Sequence, residues 1–217
     1  IRTDKGGNID GEGYSFFIGH DESTVLSALL SLYHRTKDFL MVYSVKKGGD
    51  HMDLGLEEKI VVITGGSAGI GYAAAKFFAA EGARVIICGR RLEVLEQAAA
   101  SLGSKVLPFR ADVTCAADVA SLGDYVWQRF GVLDVWVNNV GATIARAGQW
   151  YTEAEIDATY AVNFKSVVMG SQIAASYMIR RGGGVIINVA SLAARCASSG
   201  RASLYGPLKS AVVNYNL

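Results

Sequence analysis

Tyr205 and Lys209 stand four residues apart in the run Tyr205-Gly206-Pro207-Leu208-Lys209. On a helix that spacing puts both side chains on one face, so they can approach one site together. A free tyrosine, with a pKa of about 10, is a poor proton donor or acceptor near neutrality, and an adjacent ammonium favours the phenolate and lowers that value. Tyr205 can then exchange a proton with an alcohol or carbonyl oxygen. Pro207 falls in the first turn of the helix, where its missing N–H needs no partner within the helix. Two further polar residues follow or interrupt apolar runs: Ser191, after Val185-Ile186-Ile187-Asn188-Val189-Ala190, and Asn163, in Val162-Asn163-Phe164. Taken singly, each has an ordinary reading: a helix-start aromatic, a solvated charge, a strand-end hydroxyl, a polar turn former. Their common meaning depends on what precedes them.

What precedes them is a glycine turn. Thr64 to Gly71, TGGSAGIG, comes directly after the apolar run Lys59–Ile63 and directly before Tyr72-Ala73-Ala74-Ala75-Lys76-Phe77-Phe78. A strand, a glycine turn and a helix in that order let backbone pass close to a pyrophosphate and aim the helix's unpaired N–H groups at it. Thr64, Gly65, Ser67, Gly69, Ile70 and Gly71 are the candidate dinucleotide cradle. Glycine spacing alone is weak evidence, and the βαβ context that continues through Gly82 and the strand Ala83 to Cys88 carries the reading.

The elements that must position these groups alternate from Leu56 onward. The spacing predicts strands at Lys59–Ile63, Arg84–Cys88, Lys105–Arg110, Val132–Val140 and Val185–Ala190. Helices are predicted at Tyr72–Glu81, Leu92–Leu102, Ala116–Phe130 and Glu153–Arg181. Short, continuous Val- and Ile-rich strands separated by helices are expected of a parallel sheet covered on both faces, that is, a doubly wound, Rossmann-like α/β domain. Ligand sites in such a domain lie at the carboxyl ends of the strands, near the point where strand order reverses.

TGGSAGIG, the motif Asn138-Asn139-Val140-Gly141, Ser191, and the pair Tyr205 and Lys209 occur in the order and near the separations of the short-chain dehydrogenase/reductase family. The chain resembles that family from about Leu56 to Leu217, and in its motifs is similar to the 3-oxoacyl-carrier-protein reductase branch. The resemblance implies that Ser191 hydrogen-bonds the substrate oxygen, that Lys209 also holds the nicotinamide ribose, and that Asn163 maintains a proton-relay water. It further implies that Asn139 and Gly141 line the cofactor site and that Asp112 and Val113 contact the adenine. Two departures stand out. Val140 replaces a more usual alanine, and the Ser191-to-Tyr205 gap is slightly long, so an extra residue is expected in Ala194–Ser203. The family's substrate loop and last strands lie downstream of the Tyr/Lys helix, so the chain is expected to be C-terminally truncated, with the final strands lacking.

In an NAD site an acidic residue about 20 positions beyond the glycine motif binds the ribose 2′-hydroxyl, whereas arginine accommodates a 2′-phosphate. Here the second strand ends Cys88-Gly89-Arg90-Arg91, with no carboxylate. The planar donor fork of Arg90 or Arg91 suits phosphate, which favours NADP(H) over NAD.

Composition sets the remaining bounds. With 21 basic and 20 acidic residues in 217, the near-neutral charge argues against nucleic acid. No apolar stretch approaches the ~20 residues of a membrane span, and no signal core is evident. Cys88, Cys115 and Cys196 lack the spacing of a disulfide framework or metal site, pointing to a reducing, cytoplasmic setting. His20, His34 and His51 read as surface or packing residues. Residues 1–51 differ in kind from the rest and read as an N-terminal extension, either fused or read-through sequence or a small accessory βαβ element, with 52–217 as the oxidoreductase domain. The expected activity is hydride transfer between NADP(H) and a small carbonyl or secondary alcohol, in a dimer or tetramer of the full-length chain. The competing reading is a nucleotide-binding sensor or scaffold without turnover, and a partner-binding role for residues 1–51 is a third.

Overall fold

Five short strands carry the architecture: β1 (Ile60–Thr64), β2 (Arg84–Gly89), β3 (Val106–Arg110), β4 (Val135–Asn138) and β5 (Val185–Asn188). They form one parallel sheet in the order β3-β2-β1-β4-β5. The computed structural model describes residues 54–144, 150–195 and 203–215. The 1–51 extension with its histidines, Cys196 and most of the loop between Ala194 and Ser203 lie outside the described residues.

The period-two alternation of side chains along each strand divides the core in two. Val61, Ile63, Val85, Ile87, Val135 and Val137 face α1 (Gly69–Ala80) and α2 (Leu92–Leu102), packing against Ala74, Ala75, Phe78, Leu95 and Ala99. Ile60, Val62, Ile86, Cys88 and Trp136 face the other way, toward Val119, Leu122 and Val126 of α3 (Ala116–Phe130) and Ala174 and Met178 of α5 (Ser166–Met178). This is the doubly wound α/β layering predicted from the strand composition. Cys88, wholly buried, has its thiol pushed up to about 12 by desolvation, which suits a core residue and not a nucleophile.

Most element ends shift by one or two residues, and three larger differences from the sequence expectation have local reasons. The first helix starts at Gly69, inside the glycine motif, because Gly69 itself adopts φ +56 and turns the chain into the helix. The fourth strand is confined to Val135–Asn138, the residues that pair with β1 and β5. The long helix expected at Glu153–Arg181 is interrupted. It runs as α4 (Glu153–Tyr160), a π-turn (Ala161–Lys165), α5, and a 3₁₀ turn (Ile179–Arg181). The last described helix is α6 (Tyr205–Asn214).

Strand order reverses between β1 and β4, since β2 and β3 extend to one side and β5 to the other. The crevice at the carboxyl ends of β1 and β4 is therefore where a ligand of a doubly wound sheet belongs. The glycine turn leaves β1 there, and Asn139 leaves β4 there.

Candidate active site

The glycine turn is built by close approach of backbone. Gly65 has φ +70, and a Cβ there would lie 3.0 Å from the Val140 side chain. At Gly71 a Cβ would come within 2.3 Å of the Gly65 carbonyl oxygen and 2.6 Å of the Asn139 amide nitrogen. No side chain caps α1, and its first turn contains no acidic residue. An uncapped helix start behind a turn this narrow fits an anionic pyrophosphate, which would meet backbone N–H groups and no competing carboxylate.

Thr64 ties the turn to the opposite strand. Its hydroxyl donates to the Val137 carbonyl (3.2 Å) and accepts from the amides of Asn139 (2.9 Å) and Val140 (3.2 Å). Asn139 answers by donating its amide to the carbonyls of Thr64 (2.9 Å) and Gly65 (3.3 Å). Buried and fully engaged, Thr64 shapes the cradle from behind. Ser67, Gly69 and Ile70 lie on the accessible side of the turn, and Ile70 is exposed.

Lys209 is the chemical centre of the other half. It is 2 % exposed, and its Nζ donates to the Val189 carbonyl at 2.9 Å and lies 5.8 Å from the centroid of the Tyr205 ring. No carboxylate pairs with it among the described residues. Burial brings its pKa down to about 8. Gly141 is the point of convergence, because a Cβ there would fall 2.9 Å from Lys209 Nζ and 3.2 Å from Asn163 Oδ1. Asn163, wholly buried in the π-turn, accepts from the Ala142 amide (3.0 Å) and donates to the carbonyls of Ala142 (2.8 Å) and Thr159 (2.9 Å). Its side chain clamps the backbone beside Gly141. The π-turn explains how it does so, since one widened turn re-aims the side chain.

Ser191 is extended and its Oγ accepts from the Ala193 amide (3.2 Å), starting the 3₁₀ turn Leu192–Ala194. That turn packs on the helix bearing Tyr205. A Cβ at Gly206 would lie 2.7 Å from the Ala193 carbonyl, and Ser210 Oγ donates to the carbonyls of Ala194 and Gly206. Ser191 and Tyr205 thus sit on two elements locked together. Beneath them, Asn138 joins β4 to β5 and α5. Its Oδ1 accepts from Trp136 Nε1 (2.8 Å), while Nδ2 donates to Ser171 Oγ (3.0 Å) and Asn188 Oδ1 (2.9 Å).

At the outer end of the crevice Arg90 and Arg91 are exposed after β2, and Gly89 pairs in register with Arg110 of β3. Asp112 is half-buried. Desolvation pushes its carboxyl up, but hydrogen bonds from the Thr114 amide (2.9 Å) and hydroxyl (2.7 Å), with the charges of Arg90 and Arg110, outweigh it and hold the carboxyl below its usual value. Val113 next to it is buried. Sequence reasoning missed Arg110, whose place beside Gly89 emerges only from the β2–β3 register. It also missed Tyr151, whose hydroxyl accepts from the Leu204 amide at 3.2 Å across 53 positions of sequence. No group of three or more His, Cys, Asp or Glu fit for a metal occurs among the described residues, nor does a helix long and apolar enough to cross a membrane.

The short chain dehydrogenase family model matches residues 59–216, and the chain belongs to that family. It is 40 % identical over 148 residues to an uncharacterized oxidoreductase of Mycobacterium bovis, covering 67 % of this chain and 60 % of that protein. It is 36 % identical over 162 residues to 2-(R)-hydroxypropyl-CoM dehydrogenase of Xanthobacter autotrophicus, covering 71 % and 64 %. Against 3-oxoacyl-[acyl-carrier-protein] reductase of Thermotoga maritima it is 35 % identical over 161 residues, covering 73 % and 65 %. The chain therefore matches less than two thirds of the length of these relatives.

Proposed function

We propose that this chain carries the cofactor and proton-transfer machinery of an NADP(H)-dependent oxidoreductase that interconverts a carbonyl compound and a secondary alcohol. The observation that carries the reading is the convergence of buried Lys209, Gly141 and Asn163 beside Tyr205, at the strand ends faced by the uncapped start of α1. The names of two relatives, a 3-oxoacyl-[acyl-carrier-protein] reductase and a 2-(R)-hydroxypropyl-CoM dehydrogenase, agree with chemistry at a secondary carbinol carbon.

Gly65–Gly71, Asn139 and Gly141 would hold the dinucleotide, which when bound would supply or accept the hydride. In the reductive direction the Tyr205 hydroxyl donates its proton to the carbonyl oxygen, and the Lys209 charge stabilises the phenolate left behind. Ser191 holds the same oxygen by a hydrogen bond, and Asn163 keeps the backbone at Ala142 in place. Arg90 and Arg91 would receive a 2′-phosphate, and Asp112 and Val113 would meet the adenine. A second copy of the chain is the expected partner, through the face where α4 and α6 leave Ile156, Tyr160 and Val213 exposed; sedimentation velocity checks this.

The direct test follows NADPH oxidation by absorbance over a panel of ketones and 3-oxo thioesters. Turnover is expected, with Tyr205→Phe losing about 10²–10⁴-fold in kcat while still binding NADPH. Binding without turnover for every carbonyl would favour the sensor or scaffold reading.

A further inference from the structure

We infer that Tyr151 is a positioning residue for Tyr205, its hydroxyl fixing the start of the helix that presents the catalytic phenol. The inference rests on the oxidoreductase reading above for its kinetic consequence, and on hydrogen-bond geometry alone for the tie itself.

The start of α6 is met by two side-chain oxygens, one local and one from a distant part of the fold. A helix leaves its first N–H groups without intrahelical acceptors, and a Ser, Thr, Asp or Asn at the N-cap ordinarily takes one of them. Here Leu204, directly before the helix, has helical backbone angles and no side-chain acceptor to offer, so the side-chain oxygens that meet the first amides come from other residues. Pro207 has no N–H to satisfy. Tyr205 donates its amide to Ser203 Oγ at 3.2 Å, a local contact that moves with the helix. Leu204 donates its amide to Tyr151 Oη at 3.2 Å, a contact that comes from another part of the fold.

Tyr151 is itself held where it can act as an anchor. It directly precedes Thr152, whose backbone amide donates to Glu155 Oε2 (2.8 Å) while its hydroxyl accepts from the Glu155 amide (3.2 Å). That reciprocal box fixes the start of α4. The same α4 runs into the π-turn that carries Asn163 and its clamp on Ala142. One element therefore grips the backbone beside Gly141 at one end and the start of the Tyr205 helix at the other. The phenol must come within hydrogen-bond reach of the reacting oxygen, about 2.6–3.2 Å. An ångström of misplacement can cost on the order of 10²-fold. Loosening this tie is therefore expected to lower kcat and leave cofactor affinity nearly unchanged, because the pyrophosphate cradle at Gly65–Gly71 is untouched and Lys209 keeps its own tie to the Val189 carbonyl.

The test is Tyr151→Phe, which keeps the ring and removes only the acceptor oxygen. Three readouts are taken: amide exchange of the peptide covering 203–209, NADPH affinity, and steady-state kinetics with a carbonyl that the parent protein reduces. The expected result is exchange at 203–209 faster by about five-fold, as for one lost hydrogen bond. NADPH affinity should stay within about two-fold, and kcat should fall by about ten-fold with the carbonyl KM little changed. Unchanged exchange at 203–209, or unchanged kcat, would overturn the inference. So would a parallel loss of cofactor affinity and kcat, the mark of a merely structural role. A parent chain that binds NADPH but reduces no carbonyl would sink the oxidoreductase reading and the kinetic half of this one, while faster exchange in the variant would still uphold the tie.

Discussion

A buried ammonium costs stability where no carboxylate pairs with it, and Lys209, which has none among the described residues, makes that cost measurable. Unfolded, the group titrates at its ordinary value of 10.5; folded, burial brings it to about 8. Between those values the unfolded chain holds a proton that the folded chain has released, so stability rises with pH across that window. Below about pH 8 the lysine is charged in both states and its burial costs the full amount, on the order of 3 kcal/mol. Lys209→Met should therefore be the more stable protein near neutrality, with its advantage over the parent shrinking from pH 8 toward pH 10. Thermal melts of both proteins across that range check this, and a pH-independent difference would count against it. On the proposed mechanism that cost has a return, since the ammonium would stabilise the phenolate left when Tyr205 gives up its proton. Gly71 makes a matching argument on the cofactor side. Alanine there would drive a methyl to 2.3 Å from a backbone carbonyl oxygen, which cannot swing aside as a flexible side chain can. Gly71→Ala is expected to lose about 1–3 kcal/mol of stability and most NADPH affinity, read by denaturant melts and by fluorescence titration.

Between elements, the decisive joint is Asn138, which satisfies Trp136, Ser171 and Asn188 at once. Replacing it with alanine leaves the buried indole N–H without its acceptor, so Asn138→Ala should cost about 2–3 kcal/mol. It should also loosen β5, and with it the Val189 carbonyl that holds Lys209; urea melts and kcat would report the two effects separately. The sequence made the parts legible and not this joint. Val- and Ile-rich runs, glycine stops and four-residue spacings are local, which is why the parallel strands, both helical layers and the Tyr205–Lys209 spacing could be read in advance, whereas the strand order, set by long-range pairing, could not. The π-turn could not. Ala161–Lys165 contains neither proline nor glycine, and the ladder widens there because tertiary contacts draw Asn163 onto Ala142. Thr64 belongs to the cradle by sequence, but its hydroxyl's three partners lie on β4 and in the turn just after it, more than seventy residues away. Arg110 became visible only when β3 was paired with β2.

At the scale of the whole molecule, cofactor preference becomes a question of linkage. Gly89 offers no carboxylate at the end of β2, and Arg90 and Arg110 lie close enough for their charges to add to the Thr114 hydrogen bonds that, against desolvation, hold the Asp112 carboxyl below its usual value. A dinucleotide with a 2′-phosphate should therefore bind the folded chain more tightly than one without it. A ligand that binds only the folded state stabilises it by RT ln(1 + [L]/Kd), about 2.7 kcal/mol at a hundred times Kd. In a domain of this size each kcal/mol moves the midpoint by roughly 2–4 °C. NADPH is thus expected to raise Tm by several degrees more than NADH at equal concentration, without any need for turnover. The double variant Arg90→Ala/Arg91→Ala should erase most of that difference while leaving the smaller NADH shift in place, because the pyrophosphate cradle is untouched. Gly89→Asp should reverse the preference. There is room for it, since a Cβ at Gly89 meets only Leu95 at 3.7 Å or more, and the new carboxylate would stand where a ribose 2′-hydroxyl can be bound. Equal shifts with the two dinucleotides in the parent protein would refute the NADP(H) preference and leave the fold, the cradle and the Tyr205–Lys209 chemistry to be judged on their own tests.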